Sequence, residues 1–219
     1  MNQGYFITGT DTDAGKTIAT VALMHYFKTQ GKTVVGMKPV ASGCIEQDGH
    51  LRNADALALQ ANASVELDYD LINPYAFALP VSPHLAAGDT VIDFAVIGAC
   101  LKRIQEVAEI VLVEGAGGWY APVTARQDMA DLAKTLGLPV ILVVAVKLGC
   151  INHAKLSYQA IVQSGVTCAG WIGVCVQPEQ LMREQNIDTL KTALGMPLLG
   201  ILPYLSPMDF TALAAEISL

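Results

Sequence analysis

A lysine and a threonine follow a glycine-rich stretch near the start of the chain, in the segment GTDTDAGKT that spans residues 9–17. Backbone N–H groups of such a stretch, together with the N-terminus of a following helix, can hold phosphate groups. Lys16 would reach the β- and γ-phosphates, and the Thr17 hydroxyl would bind Mg²⁺. Five residues separate Gly9 from Gly15, one more than in the usual G-x-x-x-x-G-K-[ST] pattern. Because an apolar run precedes the segment and a helical pattern follows it, we predict a phosphate-binding loop (P-loop) rather than a plain glycine turn.

Two carboxylates lie at positions where they could bind a metal ion. Glu114 follows the apolar run Ile110 to Val113 and precedes the glycines of VEGAGG, so we expect it at the carboxyl end of a strand, where ligands collect in α/β proteins. Asp55 lies in RNAD, and by itself an aspartate at a helix start is more often a cap or a solvated side chain. The D-x-x-G and N-K-x-D motifs of signalling GTPases are absent from the sequence, which argues against that class.

A second lysine, Lys38, follows the apolar run Thr33 to Met37 and precedes Pro39. Proline disfavours helix at the residue before it, so the lysine side chain should stay at the carboxyl end of the sheet. Phosphoryl transfer needs positive charge around several anionic oxygens, and Lys16 and Lys38 could supply it. The alternative is an ordinary exposed lysine, and the residues alone leave both possibilities open.

Short β-rich runs alternate with helical patterns along the chain, and this alternation predicts the fold. An α/β fold of P-loop NTPase type follows, with a mostly parallel sheet and helices on both faces. The least regular stretch, residues 62–90, should loop over one end of the sheet. The predicted strands are 5–8, 33–37, 110–113, 140–146, 171–176 and 198–201, and the predicted helices are 16–29, 54–61, 94–107, 128–136, 152–163 and 179–194.

Composition and charge narrow the possible partners. The 219 residues predict a single domain over residues 1–219, and 53% hydrophobic against 15% charged residues suits a sheet buried on both faces. A net charge of −7 argues against binding nucleic acid or an anionic membrane.

The five cysteines form no C-x-x-C pair, which is typical of reduced thiols. With no signal-peptide pattern and no apolar run near the ~20 residues of a membrane helix, we expect a cytoplasmic protein.

Six segments distributed along the chain together resemble the dethiobiotin synthetase family. They occur in the order TGTDTDAGKT, GMKPVASG, LRNADALALQ, PVSPH, VEGAGGW and VKLGCINHA. The resemblance continues to LPYL at residues 202–205 and so covers nearly the whole chain. It implies a homodimer whose active sites lie at the subunit interface.

The resemblance also implies a reaction. Dethiobiotin synthetases join CO₂ to the diamine 7,8-diaminopelargonic acid, using MgATP, and release ADP and phosphate. A carbamate of one amine takes the γ-phosphoryl group to become a mixed anhydride, and the second amine then closes the ureido ring as phosphate leaves. ATP is the implied substrate nucleotide, Mg²⁺ the implied cofactor, and Lys38 and Lys16 the implied catalytic residues.

Individual site residues follow from the same resemblance. The implied metal ligands are Thr17, Asp55 and Glu114, and the implied substrate contacts are Thr12, Ser42, Pro80 and Asn152. Asn152 would reach the substrate carboxylate from the partner subunit; on the residues alone it is better explained as a helix N-cap. The nucleotide contacts are implied at Asp13, Ala14, Gly15, Lys16, Thr17, Ile18, Asp55, Glu114, Gly115, Ala116, Gly117, Pro203, Tyr204 and Leu205.

Two positions depart from the pattern of the resembled family. Asp13 stands where the family commonly has Glu, and Val174 stands where it has an Asn that contacts adenine. Recognition of the base would then fall to backbone groups near Val174, Cys175 and residues 203–205, or else the nucleotide preference is relaxed. We favour a weaker preference for ATP over other triphosphates as the hypothesis.

Two other P-loop functions compete with this interpretation. A related amide-forming or amidotransferase-type ligase would act on another acid, and a glutaminase domain, which would favour it, does not fit within 219 residues. A ParA/MinD-like positioning ATPase would use the nucleotide to switch dimerisation and membrane or DNA binding. The sequence lacks that group's additional P-loop lysine and a terminal basic amphipathic helix.

Overall fold

The structure is a computed structural model that describes residues 3–219, and a six-stranded parallel sheet lies at its centre. Met1 and Asn2, which the single-domain prediction over residues 1–219 includes, lie outside the described residues. In chain order, the strands are β1 (Gln3–Gly9), β2 (Val34–Met37), β3 (Val40–Ala41), β4 (Ile45–Gln47), β5 (His50–Arg52), β6 (Tyr75–Ala76), β7 (Ile110–Gly118), β8 (Val140–Ala145), β9 (Cys168–Val174) and β10 (Leu198–Leu202). The central sheet has the order β10-β9-β8-β1-β7-β2, while β3 pairs with β6 and β4 pairs with β5.

Helices connect the strands and cover the sheet. They are α1 (Lys16–Thr29), α2 (Ala54–Ala61), α3 (Tyr69–Ile72), α4 (Pro83–Ala86), α5 (Phe94–Gln105), α6 (Met129–Leu136), α7 (Cys150–Gln163), α8 (Arg183–Ala193) and α9 (Phe210–Ala215). Within residues 3–219, no helix combines the length and the apolar character that crossing a bilayer requires.

The predicted α/β fold is confirmed, and several element boundaries needed correction. α1 and α2 begin and end where the sequence predicted. β7 continues to Gly118, so Glu114 lies inside a strand and not at its end; pairing with β1 extends, with an irregularity, as far as Gly9 and Gly118. α7 begins at Cys150, two residues earlier than predicted, and α8 begins at Arg183, four residues later than predicted.

The sheet is buried on both faces, as its apolar composition predicted. Neighbouring residues of one strand point to opposite faces. Val111 packs into one hydrophobic cluster and Leu112 into another, and all six residues of β8 are buried. One cluster receives side chains from α5, α6 and α7, and the other from α1, α2 and α9. The helices therefore cover both faces of the central sheet.

The chain terminus packs against the helix that follows the P-loop. The Tyr26 hydroxyl of α1 donates to Leu219 O (3.0 Å) and accepts from Leu219 N (3.1 Å). Ser218 N donates to Leu199 O in β10 (2.8 Å). Residues 218 and 219 therefore link α1 to β10.

Replacing Gly36 by alanine should destabilise the protein, because β2 and α2 approach each other closely there. A Cβ at Gly36 would lie 2.9 Å from Leu59 Cβ and 3.1 Å from Met24 Sδ. Overpacking of this kind costs about 1–3 kcal/mol in the free energy of unfolding, which urea unfolding would measure. Gly98→Ala in α5 is the matched control, because no atom lies within 4 Å of its added Cβ and the helix should gain up to about 1 kcal/mol. Equal effects of the two substitutions would contradict the packing account.

Candidate active site

A cavity of about 730 Å³ opens at the carboxyl ends of the central strands. Loops after β1, β2, β9 and β10 and the second half of β7 reach it, as expected for an open parallel sheet. Most residues predicted to bind ligands lie together in its wall, at Thr12, Asp13, Gly15, Lys16, Thr17, Ile18, Lys38, Ser42, Asp55, Pro80, Glu114, Ala116, Gly117, Pro203, Tyr204 and Leu205.

The P-loop turns into α1 at Gly15, which is the N-cap residue and has a left-handed backbone (φ 86°). No side chain caps this helix, so its first N–H groups are free of a side-chain partner and can bind an anion. A Cβ at Gly15 would lie 2.7 Å from Val174 Cγ1 in β9. Glycine is therefore required both by the backbone angle and by the contact with Val174.

Lys16 lies at the start of α1 with its side chain folded back over the loop. Its Nζ donates to Asp11 O at 2.9 Å, and the residue is buried. Burial, reinforced by the charge of Lys38, lowers the pKa of Lys16 to about 8, although Glu114, Asp55 and Asp13 act in the opposite direction. An anionic phosphate near Lys16 would restore the usual preference of this amine for its charged form.

Lys38 lies buried between two carboxylates, so the alternative of an ordinary exposed lysine is wrong. Its Nζ donates to Glu114 Oε1 at 2.6 Å, to Asp55 Oδ2 at 3.0 Å and to Gly115 O at 3.4 Å. Burial by itself would lower the pKa of Lys38, but the attraction of Glu114 and Asp55 outweighs it and raises the pKa. The ammonium group is therefore charged at neutral pH.

Helix α3 positions both Lys38 and the start of α2 through one chain of hydrogen bonds. Lys38 N donates to Ile72 O (2.8 Å), and Asn73 Nδ2 donates to Lys38 O (2.7 Å). The Tyr69 hydroxyl donates to Asn73 Oδ1 (2.9 Å) and accepts from Asn53 N (2.8 Å). The stretch predicted to be irregular thus contains the elements that hold Lys38 in place.

Asn53 is a cavity residue that the sequence interpretation missed, although its position before a helix is a recognisable N-cap signal. Its side-chain oxygen accepts from Asp55 N (3.0 Å) and Ala56 N (3.2 Å), so Asn53 and not Asp55 caps α2. The Asp55 carboxylate does not cap the helix and instead faces the cavity, where it accepts a hydrogen bond from Lys38. Partial burial alone would raise the pKa of Asp55, but the charge and hydrogen bond of Lys38 lower it overall.

Glu114 is the most deeply buried of the charged groups in the cavity. The residue is 0% exposed, and its Oε1 accepts from Lys38 and from the Thr17 hydroxyl (2.9 Å), whereas its Oε2 is buried without a hydrogen-bond partner. An unpartnered buried carboxylate oxygen fits a role as a metal ligand. Within the described residues no group of three or more His, Cys, Asp or Glu side chains could hold a metal. Mg²⁺ does not need such a group, since one or two carboxylates and phosphate oxygens commonly hold it.

A second part of the cavity is formed by the segment after β3 and by residues 77–83. Gly43 N donates to Leu79 O (3.1 Å) and Cys44 N to Phe77 O (2.9 Å), which holds the two segments together. Ser42 Oγ is buried there without a hydrogen-bond partner. The sequence interpretation missed several neighbours in this part, at Ala41, Val81, Ser82, Pro83 and Ala121; Ser82 and Pro83 belong to the PVSPH segment.

The far end of the cavity is largely apolar. Val174 lies there, and its side chain offers no hydrogen-bonding group. Met208 was missed by the sequence interpretation, since nothing in its local pattern indicates a ligand contact. The end is formed by Val174, Cys175, Val176, Pro203, Tyr204, Leu205 and Met208.

Three predicted residues lie outside the wall of this cavity. Ala14 and Gly115 are buried behind it, and the Cβ of a residue at Gly115 would meet the ring of Phe6 at 3.2 Å. Asn152 is exposed on α7 beside a separate, smaller cavity. The N-cap interpretation of Asn152 is wrong, because Gly149 is the N-cap residue of α7.

Comparisons with known proteins show the family to which the chain belongs. A family model described as an AAA domain matches residues 3–211. The ATP-dependent dethiobiotin synthetase BioD of Xanthomonas campestris pv. campestris (strain B100) is 45% identical over 217 residues, covering 98% of this chain and 97% of that protein. A dethiobiotin synthetase of Salmonella typhi is 48% identical over 207 residues, covering 94% of this chain and 91% of that protein.

Two solved structures share the fold at 15% identity. A chain of the MinC:MinD cell division protein complex of Aquifex aeolicus has a TM-score of 0.59, covering 95% of this chain and 85% of that chain. The signal recognition particle receptor FtsY of Elizabethkingia anophelis has a TM-score of 0.57, covering 99% of this chain, which spans 65% of the FtsY chain. At this identity the likeness concerns the fold alone.

Binding of ADP in the absence of divalent cations should weaken as the pH rises through 8. The free enzyme loses the charge of Lys16 above its pKa of about 8, whereas a bound phosphate keeps Lys16 protonated. Affinity is therefore full below that pKa and falls by about tenfold between pH 7 and pH 9, measured by isothermal titration calorimetry. Lys16→Arg is the control, since arginine stays charged over this range and should remove the pH dependence. An unchanged wild-type affinity would refute the link to Lys16.

Proposed function

Because this chain belongs to the ATP-dependent dethiobiotin synthetase family, we propose that it closes a ureido ring on 7,8-diaminopelargonic acid with CO₂ to form dethiobiotin, ADP and phosphate. The family membership rests on near-complete coverage by relatives at 45–48% identity. The observation that carries the proposal at the level of chemistry is the meeting of Lys16, Lys38, Glu114 and Asp55 around one cavity at the carboxyl edge of the sheet.

The reaction requires an electrophile at carbon, and a carbamate is a poor one. One amine of the substrate adds to CO₂ and loses a proton, giving a carbamate. Its oxygen takes the γ-phosphoryl group of ATP and ADP leaves, so that a carbamic–phosphoric anhydride forms. The second amine attacks the carbonyl carbon, the C–O bond to phosphate breaks, and the amine proton is released with ring closure.

The two lysines have distinct roles in this proposal. Phosphoryl transfer is catalysed mainly by positioning and by stabilising charge on the oxygens. Lys16, at the P-loop, would bind the β- and γ-phosphate oxygens. Lys38, at the end of β2, would serve the carbamate and the transferred phosphoryl group. The first N–H groups of α1 would hold the remaining phosphate oxygens, since no side chain occupies them.

Mg²⁺ would be held by Thr17, Asp55 and Glu114, which lie around one point beside the P-loop. When bound, the ion neutralises phosphate charge and orients the phosphate chain. The unpartnered Oε2 of Glu114 supports this assignment.

The two ends of the cavity suggest where each substrate binds. Its volume of about 730 Å³ lies within the usual range for small-molecule sites. We assign the diamine to the part lined by Thr12, Ser42 and Pro80, where the buried Ser42 hydroxyl lacks a partner. The base of the nucleotide is assigned to the apolar end near Val174, with residues 203–205 beside it.

We also propose that the protein is a cytoplasmic homodimer. Asn152 lies away from the cavity of its own chain, which is compatible with the proposed contribution from a partner subunit in a homodimer. A cytoplasmic location is proposed because all five cysteines are free and form no C-x-x-C pair, as is typical of a reducing compartment. The positioning-ATPase alternative has only the fold shared with the MinC:MinD complex behind it.

Product analysis tests the proposed function directly. We expect ADP release to depend on both 7,8-diaminopelargonic acid and bicarbonate, and dethiobiotin, identified by mass spectrometry, to form in a one-to-one ratio with ADP. Omitting either substrate is the control. ATP turnover that is independent of the diamine, or turnover without a ureido product, would refute the proposal.

Relaxed base selection is expected from the apolar end of the cavity. The Val174 side chain cannot donate or accept a hydrogen bond. The wild-type kcat/KM for ATP should therefore exceed that for GTP or CTP by less than about tenfold, which corresponds to the free energy of roughly one good hydrogen bond. Val174→Asn should increase the preference for ATP, whereas Val174→Ala should not. Strong wild-type discrimination in parallel turnover assays would show that backbone groups or neighbouring side chains recognise the base.

A further inference from the structure

The ammonium group of Lys38 occupies a position that conflicts with its proposed catalytic role. An ammonium has three hydrogens to donate. In the structure all three face protein acceptors, namely Glu114 Oε1, Asp55 Oδ2 and Gly115 O. Lys38 thus has no hydrogen left for an anionic substrate until at least one of these bonds is broken.

Two of the three acceptors of Lys38 belong to the carboxylates that we assign to Mg²⁺. Glu114 Oε1 already accepts two hydrogen bonds, from Lys38 and Thr17. A cation that binds this oxygen must therefore displace one of the two donors. Asp55 Oδ2 is likewise occupied by Lys38. A metal ion that bound Glu114 Oε1 or Asp55 Oδ2 would therefore compete with Lys38 for these oxygen atoms.

The charge of the site gives a reason for this arrangement. Glu114 is completely buried, and a buried carboxylate without a compensating charge is strongly unfavourable. Lys16 is hydrogen-bonded to Asp11 O, so among the described residues only Lys38 forms an ion pair with Glu114. Lys38 therefore compensates Glu114 in the ligand-free protein.

We propose that Lys38 is a resident counterion of the metal site, which Mg²⁺ displaces and so releases toward the anionic substrates. This inference rests on the metal ligands of the proposed function. Metal binding and the positioning of Lys38 are then one event: without the metal, Lys38 neutralises the carboxylates, and with the metal, its hydrogens become free. The arrangement ties the availability of Lys38 to the presence of the metal.

Mg²⁺ affinity in the absence of nucleotide tests the competition. Titration of Lys38→Met with Mg²⁺ alone, at constant ionic strength, should give a Kd at least about tenfold lower than that of the wild type, because the competing cation is gone. The melting temperature of Lys38→Met should be low in EDTA and should rise with Mg²⁺ by more than that of the wild type.

Lys32→Met is the matched control for this experiment. Lys32 forms an ion pair with Glu109 at a similar distance, 2.9 Å, but at the protein surface. Its removal should leave both the Mg²⁺ affinity and the Mg²⁺ dependence of melting unchanged. Equal or weaker Mg²⁺ binding by Lys38→Met overturns the inference, and would be expected if Glu114 bound the metal only through its unpartnered Oε2.

A measurement on the wild-type protein covers the case in which Lys38→Met does not fold. The ammonium group of Lys38 should give a lysine side-chain ¹⁵N signal with slowly exchanging protons in EDTA, identified by its absence from Lys38→Arg. Saturating Mg²⁺ should shift or abolish this signal, whereas K⁺ should not. A signal that Mg²⁺ leaves unchanged overturns the inference.

The failures of the two proposals are distinguishable. If dethiobiotin forms but Mg²⁺ neither moves the Lys38 signal nor binds Lys38→Met more tightly, the counterion role fails and the proposed function stands. If Mg²⁺ displaces Lys38 but no ureido product forms, the proposed function fails and the competition for the carboxylates stands.

Discussion

The ion pair between Lys38 and Glu114 is the constraint on which the arrangement of the cavity depends. A carboxylate with no exposed surface requires a charge partner, and Lys38 Nζ provides it at 2.6 Å. The partner comes from the residue directly after β2, the strand that pairs in parallel with β7. Thr17 adds a hydrogen bond from the first turn of α1. One buried carboxylate thereby ties together the P-loop helix and two strands.

The parallel sheet explains why residues so distant in sequence meet. β7 lies between β1 and β2, so the loop after β1, the residue after β2 and the second half of β7 converge at one edge. The short helix α3 then completes the site by holding the main chain of Lys38 and, through Tyr69, the capping residue Asn53.

The sequence was sufficient for the fold, because strong local signals coincided, whereas most of the cavity residues were predicted from the family resemblance. α1 was predicted to the residue, since the Gly15-Lys16-Thr17 end of the P-loop precedes the helical pattern and Gly31 follows it. β7 was predicted too short, because its glycines suggest a break while pairing with β1 in fact sustains the strand. The burial of Lys38 and the position of Met208 in the cavity wall could not be predicted, since both depend on tertiary packing that no local pattern encodes.

The contact between Gly15 and Val174 makes two apparently separate properties of the cavity interdependent. Gly15 sets the start of the phosphate-binding helix, and Val174 lies at the apolar end, yet their atoms leave no room for a methyl group between them. A larger side chain at position 174 would press on the P-loop, and a smaller one would loosen it. Residues in contact seldom act additively. A substitution at Val174 is therefore expected to change both the apolar end of the cavity and the backbone at the start of α1.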